Sequence, residues 1–195
     1  MPLTVLYDAC VLHPAPLRDL LVRIAATGVV RARWTEQILD ECFESILRVR
    51  PDLNAEALRR TRELMTEAVP DCLVRGYEDL VGGLKLPDAD DRHVLAAAIR
   101  AGAEVIVTAN LADFPSSVLS TFQIEAKHPD DFVLETIGLA PALVVQVLVE
   151  QAGALKRPPR TVEDLLDVLQ NAGMARTVAK VRELQGLDRP GDDPP

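Results

Sequence analysis

The sequence predicts an α/β protein: a three-layer α/β/α arrangement around a central parallel sheet, followed by a C-terminal helical extension. Three observations lead there. Short β-rich apolar runs alternate with stretches of helical periodicity, the pattern of βαβ units and so of a parallel sheet covered on both faces. The strand signal stops near residue 139, beyond which only helical spacing broken by Gly and Pro remains. The 195 residues, 48% of them hydrophobic, suffice for one main domain with a smaller appendage and a real core.

Leu3-Thr4-Val5-Leu6-Tyr7 reads as a buried first strand ending at Asp8. A helix from Pro16 to Ala26 follows, with Leu17, Leu20, Leu21 and Ile24 on one face and Gly28 as its stop. Val29–Ala32 is a second strand. Thr35 caps a helix to about Val49 that turns Ile38, Cys42, Ile46 and Val49 to the core, and Pro51 ends it. Asn54 caps a helix through Ala68, and a further strand is expected at Cys72–Val74. Gly82-Gly83, Pro87 and the acidic run Asp88-Ala89-Asp90-Asp91 form a loop that feeds a helix from Arg92 to Ala101, stopped by Gly102. Glu104–Val107 is the clearest buried strand. Helices are then expected over Pro141–Ala152, Val162–Ala172 and Met174–Leu184, with Thr161 and Asp164 as a capping box. The expected organisation is a domain of residues 1–138, a helical extension of 139–186 and a disordered tail of 187–195 with almost nothing to bury.

Composition excludes several classes of function. With 21 basic against 30 acidic side chains the net charge is −9, which argues against broad nonspecific affinity for nucleic acid. It leaves room for a nucleic-acid enzyme whose acid is gathered in one metal-binding cluster. No apolar run approaches the ~20 residues of a membrane span, and the first residues do not resemble a signal peptide, so a cytoplasmic protein without membrane contact is expected. Cys10, Cys42 and Cys72 are odd in number and widely spaced; buried reduced thiols are expected rather than disulfides or a metal site. His13, His93 and His128 lack zinc-site spacing and are assigned surface or capping roles. Trp34 is expected to pack in the core or to staple the helix that follows it. One Trp, two Tyr and four Phe, scattered, make no base-stacking platform.

In parallel α/β sheets ligands gather beyond the carboxyl ends of the strands. Asp8 follows the first strand and the loop Thr108–Asp113 follows Glu104–Val107, so both should open onto one edge. Four acids stand out: Asp8, Glu41, Asp91 and Asp113. Singly, each has an ordinary explanation: a chain turn for Asp8, a solvated helix charge for Glu41, a helix cap in the 88–91 run and a loop residue at Asp113. Yet three carboxylates in four residues exceed what capping requires, and they repel one another unless a cation is present. Converging carboxylates would suit a hard divalent ion, Mg²⁺ or Mn²⁺.

Four segments carry a resemblance: Leu6-Tyr7-Asp8-Ala9-Cys10-Val11-Leu12, Trp34-Thr35-Glu36-Gln37-Ile38-Leu39-Asp40-Glu41, LPDADDRHVLAAAI from Leu86 to Ile99, and VTANLADFP from Val107 to Pro115. In order and spacing they resemble the four motifs of the PIN-domain ribonucleases, over roughly residues 3–135, and within that family most closely the VapC-type toxins of bacterial toxin–antitoxin systems. The resemblance implies a PIN-like fold and a metal-dependent endoribonuclease. Its acidic quartet would be Asp8, Glu41, Asp91 and Asp113, with Asp8, Asp91 and Asp113 holding Mg²⁺, or Mn²⁺ as a substitute, and Glu41 acting directly or through water. Thr108 and Asn110 match polar positions that orient the ligands or the attacking water. The run of acids offers more than one register, so Asp88 or Asp90 could share or take the place of Asp91. Hydrolysis by an activated water would leave a 5′ phosphate and a 3′ hydroxyl.

RNA also needs cationic contacts. Arg48, Arg50, Arg59, Arg60 and Arg62 flank Pro51 on two consecutive helices, and Arg92 stands beside the acidic loop. The alternative for the first group is a solvated face that pairs with Glu56, Glu63 and Glu67. The family further implies a homodimer and a cognate antitoxin, although the helical region beyond residue 140 departs from a minimal PIN domain. Two other readings compete. A noncatalytic PIN-like module that binds metal or a partner would have lost an acid, whereas all four remain. A haloacid-dehalogenase-like phosphatase normally has a second Asp two residues after the first, where Cys10 stands.

Overall fold

The computed structural model describes residues 2–156 and 158–186. Four parallel strands form its sheet: β1 (Leu3–Tyr7), β2 (Val30–Arg33), β3 (Val105–Val107) and β4 (Glu125–Lys127), in the order β2-β1-β3-β4. Helices flank it: α1 (Ala9–Leu12), α2 (Ala15–Ala26), α3 (Glu36–Val49), α4 (Ala55–Ala68), α5 (Glu78–Val81), α6 (Arg92–Ala101) and α7 (Ser116–Leu119). The chain then continues as α8 (Pro129–Leu139), α9 (Pro141–Ala154), α10 (Val162–Asn171) and α11 (Ala175–Gln185). The chain divides into two compact units between Pro129 and Asp130. The tail expected at 187–195 lies outside the described residues.

The order of strands places the site. From β1 the chain moves to β2 on one side, then crosses back to β3 and β4 on the other. With the right-handed crossovers that parallel strands require, this reversal puts the topological switch point between the carboxyl ends of β1 and β3, where a crevice opens. Tyr7 pairs with Val107, so Asp8 and Thr108 emerge side by side, and the Asp8 N–H donates to the Val107 carbonyl at 3.1 Å.

Both central strands have buried side chains throughout their paired residues, Val5–Tyr7 and Val105–Val107, as their apolar runs predict. Helix α6 buries His93 through Ala98, its three consecutive alanines being among the most buried residues of the chain. Trp34 is fully buried and stacks on Tyr7 with ring centroids 6.1 Å apart, fulfilling the core role expected of it. The caps expected at Thr35 and Asn54 are made, and Gly102 closes α6 at φ 62°.

Two strand expectations change. Cys72–Val74 forms only a single parallel bridge, Leu73 with Trp34, through the Trp34 N–H to the Cys72 carbonyl and the Val74 N–H to the Trp34 carbonyl. Left-handed residues at Asp71 (φ 57°) and Gly76 (φ 70°) bracket it and leave no room for a longer extended run. Conversely, β4 gave no apolar signal because Glu125-Ala126-Lys127 is an edge strand, where charged side chains are tolerated and protect the open edge.

The second unit is helical. Asp130 is buried at the start of α8, and its two carboxylate oxygens accept the Arg176 N–H at 3.0 Å and the Thr177 N–H at 2.7 Å in the first turn of α11. The capping box at Thr161 and Asp164 forms as predicted. Arg182 of α11 pairs with Glu163 and Asp167 of α10, above the buried Leu165, Leu166, Leu169, Val178 and Val181. Among the described residues no helix is long and apolar enough to cross a membrane.

Candidate active site

Asp8 is 6% exposed and held by three donors. Its Oδ1 accepts the Ala9 N–H at 2.6 Å as the cap of α1, and its Oδ2 accepts the Thr108 hydroxyl at 2.8 Å and the Cys10 thiol at 3.0 Å. The Thr108 hydroxyl in turn accepts the Asn110 N–H at 3.0 Å, and the Cys10 sulfur accepts the Ala109 N–H at 3.2 Å. The loop after β3 is thus stitched to the residue after β1, one hundred positions away in sequence. Burial, followed by the charge of Asp8, pushes the Cys10 thiol up to about 12, so the sulfur keeps its proton and remains a donor. The buried reduced thiols expected of Cys42 and Cys72 are found; Cys10 is only half-buried and belongs to this frame.

Asp91 takes the N-cap position of α6 without capping it, its backbone being already helical at φ −80° and ψ −4°. The cap expected from the acidic run is therefore not made by the carboxylate nearest the helix. Asp88 instead accepts the Asp90 N–H at 2.8 Å, and both Asp88 and Asp90 are exposed. Burial first, and then the charges of Asp8, Asp113 and Asp88, raise the Asp91 carboxyl to about 6, against a smaller opposing influence of His93. Asp8, Asp91 and Asp113 therefore share one electrostatic neighbourhood. They do not form a closed cage: among the described residues no three His, Cys, Asp or Glu side chains are gathered into a group that could hold an ion.

A prediction follows for the metal-free protein. Because Asp91 titrates higher folded than unfolded, it binds more protons folded between pH 4 and 6, and stability falls as pH rises through that window. Asp91→Asn should then melt higher than wild type at pH 7.5 in EDTA, by at most about 1 kcal/mol because Asp91 is partly exposed and water screens the repulsion. Near pH 4 the two proteins should melt together.

Glu41 projects from the second turn of α3, its side chain 43% exposed, and its Oε1 meets Nε2 of His93 at 3.0 Å. Burial works to raise its carboxyl, but the His93 hydrogen bond and charge, with a second bond from Gln37, outweigh it and hold Glu41 below the usual carboxylate range. His93 corrects the sequence reading. It is neither a surface nor a capping residue but 5% exposed, with its ring against Glu41. The helical spacing of Arg92-His93-Val94-Leu95 carries the only sequence signal, since it places His93 beside residues that must be buried.

Arg18, also missed, is 8% exposed and donates to the carbonyls of Leu12 at 2.7 Å and His13 at 3.2 Å, while its guanidinium lies over the Phe43 ring at 5.6 Å. It fastens the end of α1, which Asp8 caps, to α3, which carries Glu41. Burial lowers its pKa, partly offset by the neighbouring Cys42 thiol and Asp19.

The basic residues are mostly engaged. Arg50 makes two bonds to Asp52, Arg59 pairs with Glu56 and Glu63, Arg60 with Glu63 and Glu67, and Arg62 ties α4 to Glu36 and Asp40 of α3. This is the paired face weighed as the alternative. Arg48 is exposed in the last turn of α3, and Arg92 Nε donates to the Ala89 carbonyl at 2.8 Å beside Asp91.

Comparison with known proteins adds to this geometry. Residues 4–112 match the family model described as PIN domain, and residues 129–183 match the model described as VapC50 C-terminal domain. The protein named "Putative ribonuclease VapC50" of Mycobacterium tuberculosis (strain ATCC 25618 / H37Rv) is 43% identical over 109 residues. The match covers 56% of this chain and 63% of that relative, less than two thirds of the relative's length. No solved structure gives a significant match.

Proposed function

The chain belongs to the PIN-domain family, and from that premise we propose that it is a divalent-metal-dependent endoribonuclease, the toxin of a type II toxin–antitoxin pair acting in the cytoplasm. The observation that supports the reading is the half-buried carboxyl of Asp91, raised first by burial and then by the charges of Asp8 and Asp113, with Asp8 itself at the switch point of the sheet. Oxygen donors that repel one another suit Mg²⁺ or Mn²⁺, whose charge would offset the repulsion. Asp8, Asp91 and Asp113 would hold the ion, with Glu41 acting directly or through water and Asp88 and Asp90 adding charge at the rim.

Such an ion acidifies water and offsets charge that builds on the scissile phosphate. The chain's own groups do the rest. Thr108 and Cys10 keep Asp8 in one orientation, the Asn110 N–H holds the Thr108 hydroxyl, and a carboxylate of the quartet takes the proton of the attacking water. Arg48 and Arg92 are best placed for the RNA backbone. Arg50 and Arg59 join once their ion pairs open, which costs little because both pairs are exposed and screened by water. A homodimer and an antitoxin partner are part of the proposal.

Purified protein incubated with total bacterial RNA should yield discrete cuts with Mg²⁺ or Mn²⁺ and none with EDTA, leaving 5′ phosphates. Cuts that persist in EDTA, or that carry 2′,3′-cyclic phosphates, would point away from the acidic quartet. Intact Mn²⁺ binding by calorimetry without cleavage of any RNA would favour the noncatalytic module.

A further inference from the structure

An exposed carboxylate on a helix ordinarily rotates among staggered conformers, and nothing in the local sequence of α3 would hold Glu41 still. The structure supplies a frame for it. Oε1 of Glu41 receives both Nε2 of His93 and Nε2 of Gln37, each at 3.0 Å. Gln37 lies one turn earlier on α3, and its own Oε1 accepts the hydroxyl of the buried Tyr77 at 3.3 Å, which fixes the orientation of its amide. His93 is walled in by the core, and its Nδ1 has no hydrogen-bond partner among the described residues, which places the ring's donor at Nε2. With two donors on Oε1, Oε2 receives none from the described residues.

His93 also stands two residues after Asp91 on α6, with its ring against Glu41 of α3. A buried imidazole therefore joins the helix end that presents Asp91 to the acid carried by α3. We propose that His93, with Gln37 backed by Tyr77, is a positioning residue that fixes the Glu41 carboxylate relative to Asp91 and leaves Oε2 as the oxygen available to the reaction. The role rests on the nuclease reading above; the hydrogen-bonded frame does not.

The test separates the two. In the full-length, metal-free protein, a downfield imidazole N–H resonance attached to ¹⁵Nε2 of His93 is expected in wild type and in Asp8→Asn, and lost in Glu41→Leu. A resonance indifferent to Glu41→Leu overturns the frame. Cleavage is then measured for His93→Leu, His93→Gln and the exposed Gln37→Ala, each alone and on a Glu41→Leu background, with thermal melts to confirm folding. Groups that orient a metal-site carboxylate are worth about 10–100-fold, so His93→Leu should lower kcat by about tenfold or more while KM moves by no more than about twofold. Gln37→Ala, which alters no core packing, should lower kcat in the same sense. His93→Gln, which restores an N–H donor, should recover most of the loss, and neither His93→Leu nor Gln37→Ala should matter once Glu41 is Leu. Equal losses on both backgrounds, or no recovery in His93→Gln, would reduce His93 to a packing residue. If Asp8→Asn cleaves as well as wild type, the nuclease reading falls while the resonance still decides the geometry.

Discussion

Asp8→Asn should eliminate RNA cleavage and leave the protein folded. Asp8 is held by three donors, and its carboxylate is buried where β1 meets the loop after β3. Removing a ligand charge from a metal-dependent hydrolytic centre forfeits several kcal/mol of transition-state stabilisation, about 10³-fold in rate. The cost to folding is much smaller. Asn fills the same volume and still offers one acceptor, so one of the three donors loses its partner, at about 1 kcal/mol. Relief of the repulsion felt by Asp91 works in the other direction. The melting temperature should therefore stay within a few degrees of wild type while cleavage falls to background. A variant that melts normally and cleaves normally would remove Asp8 from the quartet.

The second large effect is one of stability. Asp130→Ala should destabilise the helical unit by about 3 kcal/mol, because it strips a buried carboxylate from two backbone N–H groups in the first turn of α11. Charge-assisted bonds of this kind, placed at the positive end of a helix, are stronger than neutral ones. The Thr177 hydroxyl still donates to the backbone carbonyl of residue 130, at 3.1 Å in the wild type, and helps keep α8 on α11. Asp130→Asn keeps an acceptor and should lose roughly half as much. Urea unfolding followed by amide exchange should show the amides of α11 opening first in Asp130→Ala. Unchanged protection there would mean that the apolar contacts of Val178 and Val181 suffice to hold the helix.

Some of this was legible in the chain and some was not, for reasons specific to each element. Val5–Tyr7 and Val105–Val107 announce themselves because strand segments buried on both faces read as short apolar runs. The caps at Thr35, Asn54 and Thr161 are equally plain, since a helix start must satisfy its free N–H groups within a few residues. The edge strand β4 and the single bridge at Leu73 escape or mislead, because pairing at an edge depends on which neighbour is present rather than on hydrophobicity.

The same division runs through the site. By itself the sequence determined an α/β chain with a parallel sheet and the helical region after it, and it offered four candidate acids, Asp8, Glu41, Asp91 and Asp113, whose grouping only the family resemblance implied. The strands and helices follow from local periodicity and spacing. Only the tertiary structure decided that Thr108 and Cys10 would frame Asp8, that Asp91 rather than Asp88 or Asp90 would be half-buried among other carboxylates, and that His93 would be buried against Glu41. Hydrogen bonds and charges act over a few ångströms of space, and a chain brings Asp8 and Thr108 within that range only after β1 and β3 have paired.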